Sequence, residues 1–451
     1  MSVTTTHPQY DAMHEQWQML SDALEEGAVK RSGTLYLPKT SAMIEAQRPS
    51  NDDDPILTYS QAQEMYEAYK SRAEYPLWVK DALRSMMGLV TKLTPNIVLP
   101  DSLKYLQYNA TSDGFDLHQL FLRVVSAGLT KGRCPLVTDV DEKGEFFVAA
   151  YTAEAAINWR EGNLDGRSDL TLAVLEEQRA KDTGDEFAHE TETVYRVLDL
   201  FDGKYRVRVM SDSGALLEES FAGYTQDKAL DFIPIIFAGS TDSSPKPDEL
   251  PLLSMAKSAL KYYQLSADYY TSLHYTANPQ PVVIGLPDDQ DLRVTGPQAA
   301  WCLPEGGKAE YMEFSGSGIG AIEDAMNAQR NASQEAGAKV VTTGAAESGT
   351  ARLARQADQH SSLYSVVMTA AESIEQAMKF AAVWAGIDPD SVQFTVEPKF
   401  TQNEVDAQLL TVVQNGVMAG ELPRTVLYGL LREGGMTSLT DDELDAMREG
   451  V

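Results

Sequence analysis

Between residues 253 and 273 the charged and amide side chains are confined to one narrow stripe. Lys257, Lys261, Gln264, Asp268 and Thr271 recur at spacings of four, three, four and three, which is a single helical face. Most other positions in the stretch are apolar or aromatic, Tyr262, Tyr263, Tyr269 and Tyr270 among them. A helix apolar over most of its circumference must bury itself on several sides. It does so inside a core of its own chain or between neighbours in an assembly. Tyrosine suits the second, because its ring buries area while its hydroxyl stays hydrated or finds a partner. Asp248 and Glu249 precede the helix in a proline-punctuated lead-in, where negative charge favours the positive end of a helix dipole.

After His274 the pattern changes. Pro279, Gly285-Leu286-Pro287 and Gly296-Pro297 punctuate short extended runs and predict a small β insert, with a further strand at 308–314. Gly316-Ser317-Gly318-Ile319-Gly320-Ala321 then leads into a helix carrying Ile322, Ala325, Met326, Ala332 and Ala336. Gly316, Gly318 and Ala321 fit a dinucleotide-binding fingerprint between strand and helix, which would make the chain a nicotinamide-dependent oxidoreductase. That unit also requires a second parallel strand ending in a ribose-binding acid about 20 residues on. Here the helix runs into Val340-Val341-Thr342-Thr343-Gly344-Ala345-Ala346, which ends in no acid. The competing reading is that the glycines let the backbone turn sharply into a helix.

A loop of small residues, 342–349, precedes a helical pattern over 350–385, which at 1.5 Å per residue would span about 54 Å. Ala357, Ala370, Ala377 and Ala381 lie on its apolar side and permit close approach of neighbouring backbones, as in bundles and rings.

The chain of 451 residues carries a net charge of −30. Such a field repels nucleic acid and argues against tight DNA binding through a basic face. It leaves DNA as a cargo open, since a wall past which a polyanion slides is better repelling than sticky; a solvated acidic surface is the alternative. Cys134 and Cys302 are expected as free, buried thiols of a reducing compartment. The N-terminus reads as an amphipathic helix with Tyr10, Met13, Trp17, Leu20 and Leu24 rather than a signal peptide. The densest apolar run, 232–238, contains Pro234 and is too short to span a membrane.

Elsewhere, Ser60 and Gln63 fit a capping box, a helix runs from Leu77 through Leu89, and Leu117, Leu120, Phe121, Val124 and Leu129 mark another. Strands are predicted at 134–138, 145–151, 170–175, 194–201 and 205–210, an α+β domain with one antiparallel sheet ending near 238. A last strand, 393–400, is followed by short helices, with Thr440 and Glu443 capping the final one. Chemistry is sparse. His7, His14, His118, His189, His274 and His360 are scattered, and no HExxH, CxxC, Walker A or GxSxG pattern occurs, so no catalytic, cofactor or metal site is expected. His274, at a predicted helix end, reads as a dipole-compensating or packing residue.

An ordered series of segments resembles a portal-protein family of tailed bacteriophages formerly known only as a domain of unknown function. The segments are 132–139 (GRCPLVTD), 151–160 (YTAEAAINWR), 232–239 (FIPIIFAG), 251–285, 301–318 (WCLPEGGKAEYMEFSGSG) and 347–353 (ESGTARL). The most specific part is LLSMAKSALKYYQLSADYYTSLHYTANPQPVVIG, at 252–285, and the likeness covers most of residues 75–390. The resemblance implies a portal-like α+β fold: an α/β wing (1–247), stem helices (248–275 and 319–339), a clip (276–318), a channel loop (340–349), a long helix and return strand (350–400) and a helical crown (401–451). It implies a homo-oligomeric ring, usually dodecameric, at one capsid vertex of the virion, assembled in the host cytoplasm. Double-stranded DNA would be cargo during packaging and ejection. The terminase large subunit, scaffolding and major capsid proteins and a head–tail adaptor would be partners, with catalysis left to the terminase and no membrane involved. Thr342, Thr343, Gly344, Ala345, Ala346, Glu347 and Ser348 would then face the channel, and Tyr262, Tyr263, Tyr269 and Tyr270 the neighbouring subunit. That loop holds Glu347 and no cation before Arg352, which suits clearance around DNA rather than gripping of phosphates.

Overall fold

The computed structural model describes residues 2–47, 58–164, 167–181, 184, 187, 189–221, 223–224, 228–277, 280–284, 306, 308–312, 316, 318–338, 349–398, 400, 407–420, 422–433, 439–441 and 443. Its N-terminal part is helical: α1 (Pro8–Ala23), α2 (Glu26–Arg31), α3 (Ser41–Ala46), α4 (Tyr59–Arg72) and α5 (Trp78–Val90), then the short strand β1 (Asn96–Val98) and α6 (Leu117–Lys131). In α1 the buried residues are Tyr10, Trp17, Leu20 and Ala23, one helical face. The Trp17 indole donates to the Lys131 carbonyl at 2.9 Å, and the Lys131 ammonium donates back to the Trp17 carbonyl at 2.8 Å and pairs with Glu154. This latch fixes α1 against the end of α6. The capping box of α4 is Thr58 with Gln61 rather than Ser60 with Gln63. Ser60 already lies inside the first turn, and Gln63 is spent on Glu67 at 3.0 Å.

The expected single sheet is two. Strands β2 (Arg133–Val140), β3 (Phe146–Ala150) and β11 (Ile235–Gly239) form a three-stranded antiparallel sheet in the order β11-β2-β3. Between them in sequence, β4 (Ala156–Leu164), β5 (Arg167–Ala180), β6 (Thr191–Phe201), β7 (Lys204–Ser211) and β8 (Leu216–Phe221) make a five-stranded antiparallel meander. β9 (Gly223–Tyr224) and β10 (Lys228–Ala229) add a small ribbon. Gly132 joins α6 to β2 with φ +61°, and a Cβ there would lie 2.8 Å from the Glu249 carbonyl, so glycine is required twice over.

A charged network ties the sheets together. Arg196 on β6 donates to Glu177 on β5 at 2.8 Å and to Asp139 on β2 at 3.2 Å, while the Tyr151 hydroxyl donates to Glu177 at 2.6 Å. Burial holds the Asp139 carboxyl above its usual range, with the hydrogen bond from the Val140 amide and the charge of Arg196 acting the other way. Arg196→Met leaves two carboxylates facing each other and is expected to cost about 2–4 kcal/mol at neutral pH, below the cost of breaking a fully buried pair because the site is partly hydrated. A carboxyl whose folded-state pKa is raised stabilises the fold fully below its unfolded value of 3.8 and loses that contribution as pH rises through the folded value. The deficit of the variant should therefore shrink on acidification, as denaturant titrations between neutral pH and pH about 4 would read. An unchanged deficit across that range would exclude charge repulsion as its cause.

The N-terminal segment is held by rings. His7 stacks on Trp159 with centroids 4.0 Å apart, and its Nδ1 accepts from the Gln9 amide at 3.2 Å, capping α1. That role needs a neutral imidazole, and burial together with the Arg133 charge lowers the His7 pKa below 6.5. With the folded value below the unfolded one, stability is complete above 6.5 and falls as pH drops toward the lowered value. His7→Asn keeps a neutral capping acceptor and is expected to flatten this dependence. Denaturation midpoints at pH about 5 and about 7.5 check it.

The remaining elements are α7 (Leu253–Ala277), the ribbon β12 (Gln280–Ile284) with β13 (Lys308–Met312), α8 (Ile319–Ser333), α9 (Gly349–Trp384), β14 (Gln393–Thr395), α10 (Ala407–Met418) and α11 (Arg424–Glu433). α9 packs across α6, β2 and β11, burying Ala370, Ala371, Ala377, Ala381 and Ala382. Thr138 on β2 donates to the Ala377 carbonyl at 2.8 Å, so the alanine side of α9 is a core surface, as its pattern predicts. β14 is shorter than the expected strand and pairs antiparallel with β1. Glu443 accepts from the Thr440 amide at 2.8 Å, the expected cap.

Candidate functional site

The candidate site is the unit formed by α7, the β12–β13 ribbon and α8. α7 contacts α1, α4, α5 and α8. Its buried residues, among them Met255, Ala259, Leu260, Tyr263 and Ala267, fill the core of its own chain. Both expected modes of burial thus begin with an intrachain one, and the tyrosines divide accordingly. Tyr263 is wholly buried, edge-on to Tyr75 at 6.0 Å, and burial pushes its phenol up to about 12. Expected at a subunit interface, Tyr263 belongs to the core of its own chain. Tyr262 is half-buried edge-on to Trp78 at 5.1 Å. Tyr269 and Tyr270 are half-buried against each other at 5.2 Å, and the Tyr270 hydroxyl donates to Glu74 at 2.9 Å. The polar stripe also divides. Gln264 donates to the Tyr36 carbonyl at 2.9 Å and Asp268 accepts from Tyr69 at 2.7 Å, whereas Lys257 and Lys261 stand exposed.

α8 lies antiparallel to α7. Thr276 at the end of α7 is beside Gly316 before α8, and the Arg330 charge is felt by Tyr262 farther down. The antiparallel ribbon β12–β13 spans the gap. Gly316 has φ +65° and its carbonyl accepts from the Ile319 amide at 3.0 Å, so the glycine cluster turns the backbone into α8. Among the described residues the strand before the glycines pairs in a two-stranded antiparallel ribbon, not in the parallel β-α-β arrangement a dinucleotide site needs. α8 closes in a wide turn, Gln334–Ala338, with Gly337 at φ 106°. Thr342, Thr343, Gly344, Ala345, Ala346, Glu347 and Ser348 lie outside the described residues, as do Cys302 and residues 285–305 of the insert. His274 is in the last turn of α7, where the sequence places it.

Other groups offer little chemistry. Burial pushes the Cys134 thiol up to about 12, which removes nucleophilic thiolate at neutral pH. Among the described residues no group of three or more His, Cys, Asp or Glu is placed to hold a metal ion, and no helix is long and apolar enough to cross a membrane. A shallow groove beside α6 is lined by Leu122, Ala127 and Ala153 with Arg123 and Lys131, whose charges are taken up by Asp113 and Glu154.

Residues 251–385, from just before α7 to just past α9, match a domain of unknown function, DUF4055. No curated protein matches the chain. Among solved structures, the chain is similar to one in the virion of a native gene transfer agent particle, at 12% identity and a TM-score of 0.39, covering 91% of this chain and 98% of that one. It is also similar to a chain in the neck of the native particle computed with C12 symmetry, at 11% identity and TM-score 0.37, covering 78% and 89%. A third likeness, to the neck of the empty particle computed with C6 symmetry, has 13% identity and TM-score 0.37, covering 82% and 89%.

Proposed function

We propose that this chain is the subunit of a portal ring, a closed assembly at one vertex of a tailed-phage capsid through which double-stranded DNA is packaged and ejected. The observation that carries the reading is the antiparallel helix pair α7–α8, tipped by the β12–β13 ribbon and followed by the 36-residue α9 laid back across the core sheet. The segments that resemble the portal family occupy linked places in this arrangement. Residues 132–139 and 232–239 meet as the adjacent strands β2 and β11 under α9, and Gly132 lies against the backbone that leads into α7. In this reading residues 1–247 are the wing, α7 and α8 the stem, 276–318 the clip, 340–349 the channel loop, 350–400 the long helix with its return strand, and 401–451 the crown. The terminase large subunit docks at the clip, and a head–tail adaptor, scaffolding and major capsid proteins complete the partners.

Negative-stain electron microscopy of the purified chain, with particle mass measured alongside, tests the proposal. Closed rings, dodecameric by the family resemblance, with a central hole wide enough for duplex DNA are the expected result. Assemblies without a hole would favour a helical scaffold or adaptor instead.

A further inference from the structure

We propose that Lys257 and Lys261 on α7 of one subunit pair with Glu323 and Asp324 on α8 of the next, forming a charged seam that sets how neighbouring subunits meet. The inference rests on the ring reading above and adds the residues and the register. All four side chains belong to exposed residues, and none makes an ion pair within its own chain among the described residues. The lysines are one turn apart on one face of α7. On α8, Met326 and Ser333 are buried, so Asp324, two positions from Met326, falls on the side turned away from α7, with Glu323 on the flank.

Within one chain the two sets cannot meet. The antiparallel pairing that puts Tyr262 near Arg330 and Thr276 beside Gly316 sets Glu323 and Asp324 level with Asp268 and Tyr269. Lys261 lies about seven residues below that level, roughly 10 Å at the helical rise. Complementary charges held apart on two surfaces of one subunit are what a heterologous ring interface brings together, since each subunit offers different faces to its two neighbours. The need for such a seam follows from charge: copies that each carry −30 repel one another as they assemble, and local complementarity offsets that repulsion and selects the register. The same offset requires the α7–α8 pairs to lean relative to the ring axis, so that α7 of one subunit reaches α8 of the next about two turns along.

The full chain is tested in four forms: wild type, Lys257→Glu with Lys261→Glu, Glu323→Lys with Asp324→Lys, and all four changes together. Each reversed pair should lower ring assembly at least about tenfold, and the combined variant should restore it to within about twofold. Thermal unfolding followed by circular dichroism confirms that every form is folded. Either reversed pair assembling like wild type overturns the seam, as does a folded combined variant that stays unassembled. Lysine reversals that form normal rings but package no DNA would assign Lys257 and Lys261 to the cargo and likewise overturn it. A wild-type chain that never closes into a ring overturns the ring reading, and the seam with it.

Discussion

Arg133→Ala is expected to cost about 3–5 kcal/mol of unfolding free energy. Arg133 is 1% exposed. Its guanidinium lies 4.3 Å from the Trp159 ring centre and 4.6 Å from that of Phe237, and donates to the carbonyls of Ala156 at 3.0 Å and Pro245 at 3.2 Å. One side chain thus joins β2, β4, β11 and the segment leading to α7. Truncation opens a cavity beside two aromatic rings and leaves two carbonyls without donors. No carboxylate neutralises the charge among the described residues, and burial pulls the guanidinium below its usual range, so part of the native contact is spent on desolvation. Arg133→Met, which fills the space without a charge, is therefore expected to recover about half the loss. Arg133→Lys keeps the charge but cannot lie flat on the rings or fork to both carbonyls, and should be the worse of the two replacements. Denaturant titration of the three variants reads the order directly. An alanine variant within about 1 kcal/mol of wild type would refute the account.

Nothing in the local sequence announces that contact, and the reason is general to what this chain hides. The helices at 8–23, 78–90 and 117–131 and the strand at 133–140 were legible because their apolar residues repeat with the period of one element or form one bounded run. β4 was not: its pairing with β5 carries a bulge at Ile157, between Ala156 and Asn158, that breaks the alternation and buries two consecutive residues. β8 was not either, because every residue of Leu216–Phe221 is exposed and no buried face imposes a period. The β1–β14 pair joins strands of three residues across most of the chain, and only their partners define them. For α7, the pattern showed how much of the helix is buried but not by what, which is why Tyr263 read as an interface residue and is a core residue. Periodicity reports the fraction of a surface that leaves water; contacts across the fold decide which body covers it.

In the portal reading the loop between α8 and α9 is where substitution should act on function without touching assembly. Ala345→Trp together with Ala346→Trp is expected to reduce packaged DNA to background while rings form in wild-type yield. In a closed ring one substitution is repeated in every subunit, so the added bulk closes the aperture from all sides at once. In that reading the rings would depend on surfaces of α7, α8 and the α+β body, away from these positions. Residues 340–348 hold Glu347 as their one charged group, so in that reading the loop would act on DNA through clearance and weak repulsion rather than grip. Glu347→Gln should consequently change packaging far less than the paired tryptophans do. Ring counts by electron microscopy and nuclease-protected DNA per particle, measured on the same preparations, separate the two effects. Failure of the tryptophan variant to form rings would contradict the division between an assembling stem and a passive loop, and normal packaging through it would place the narrowest part of the channel elsewhere.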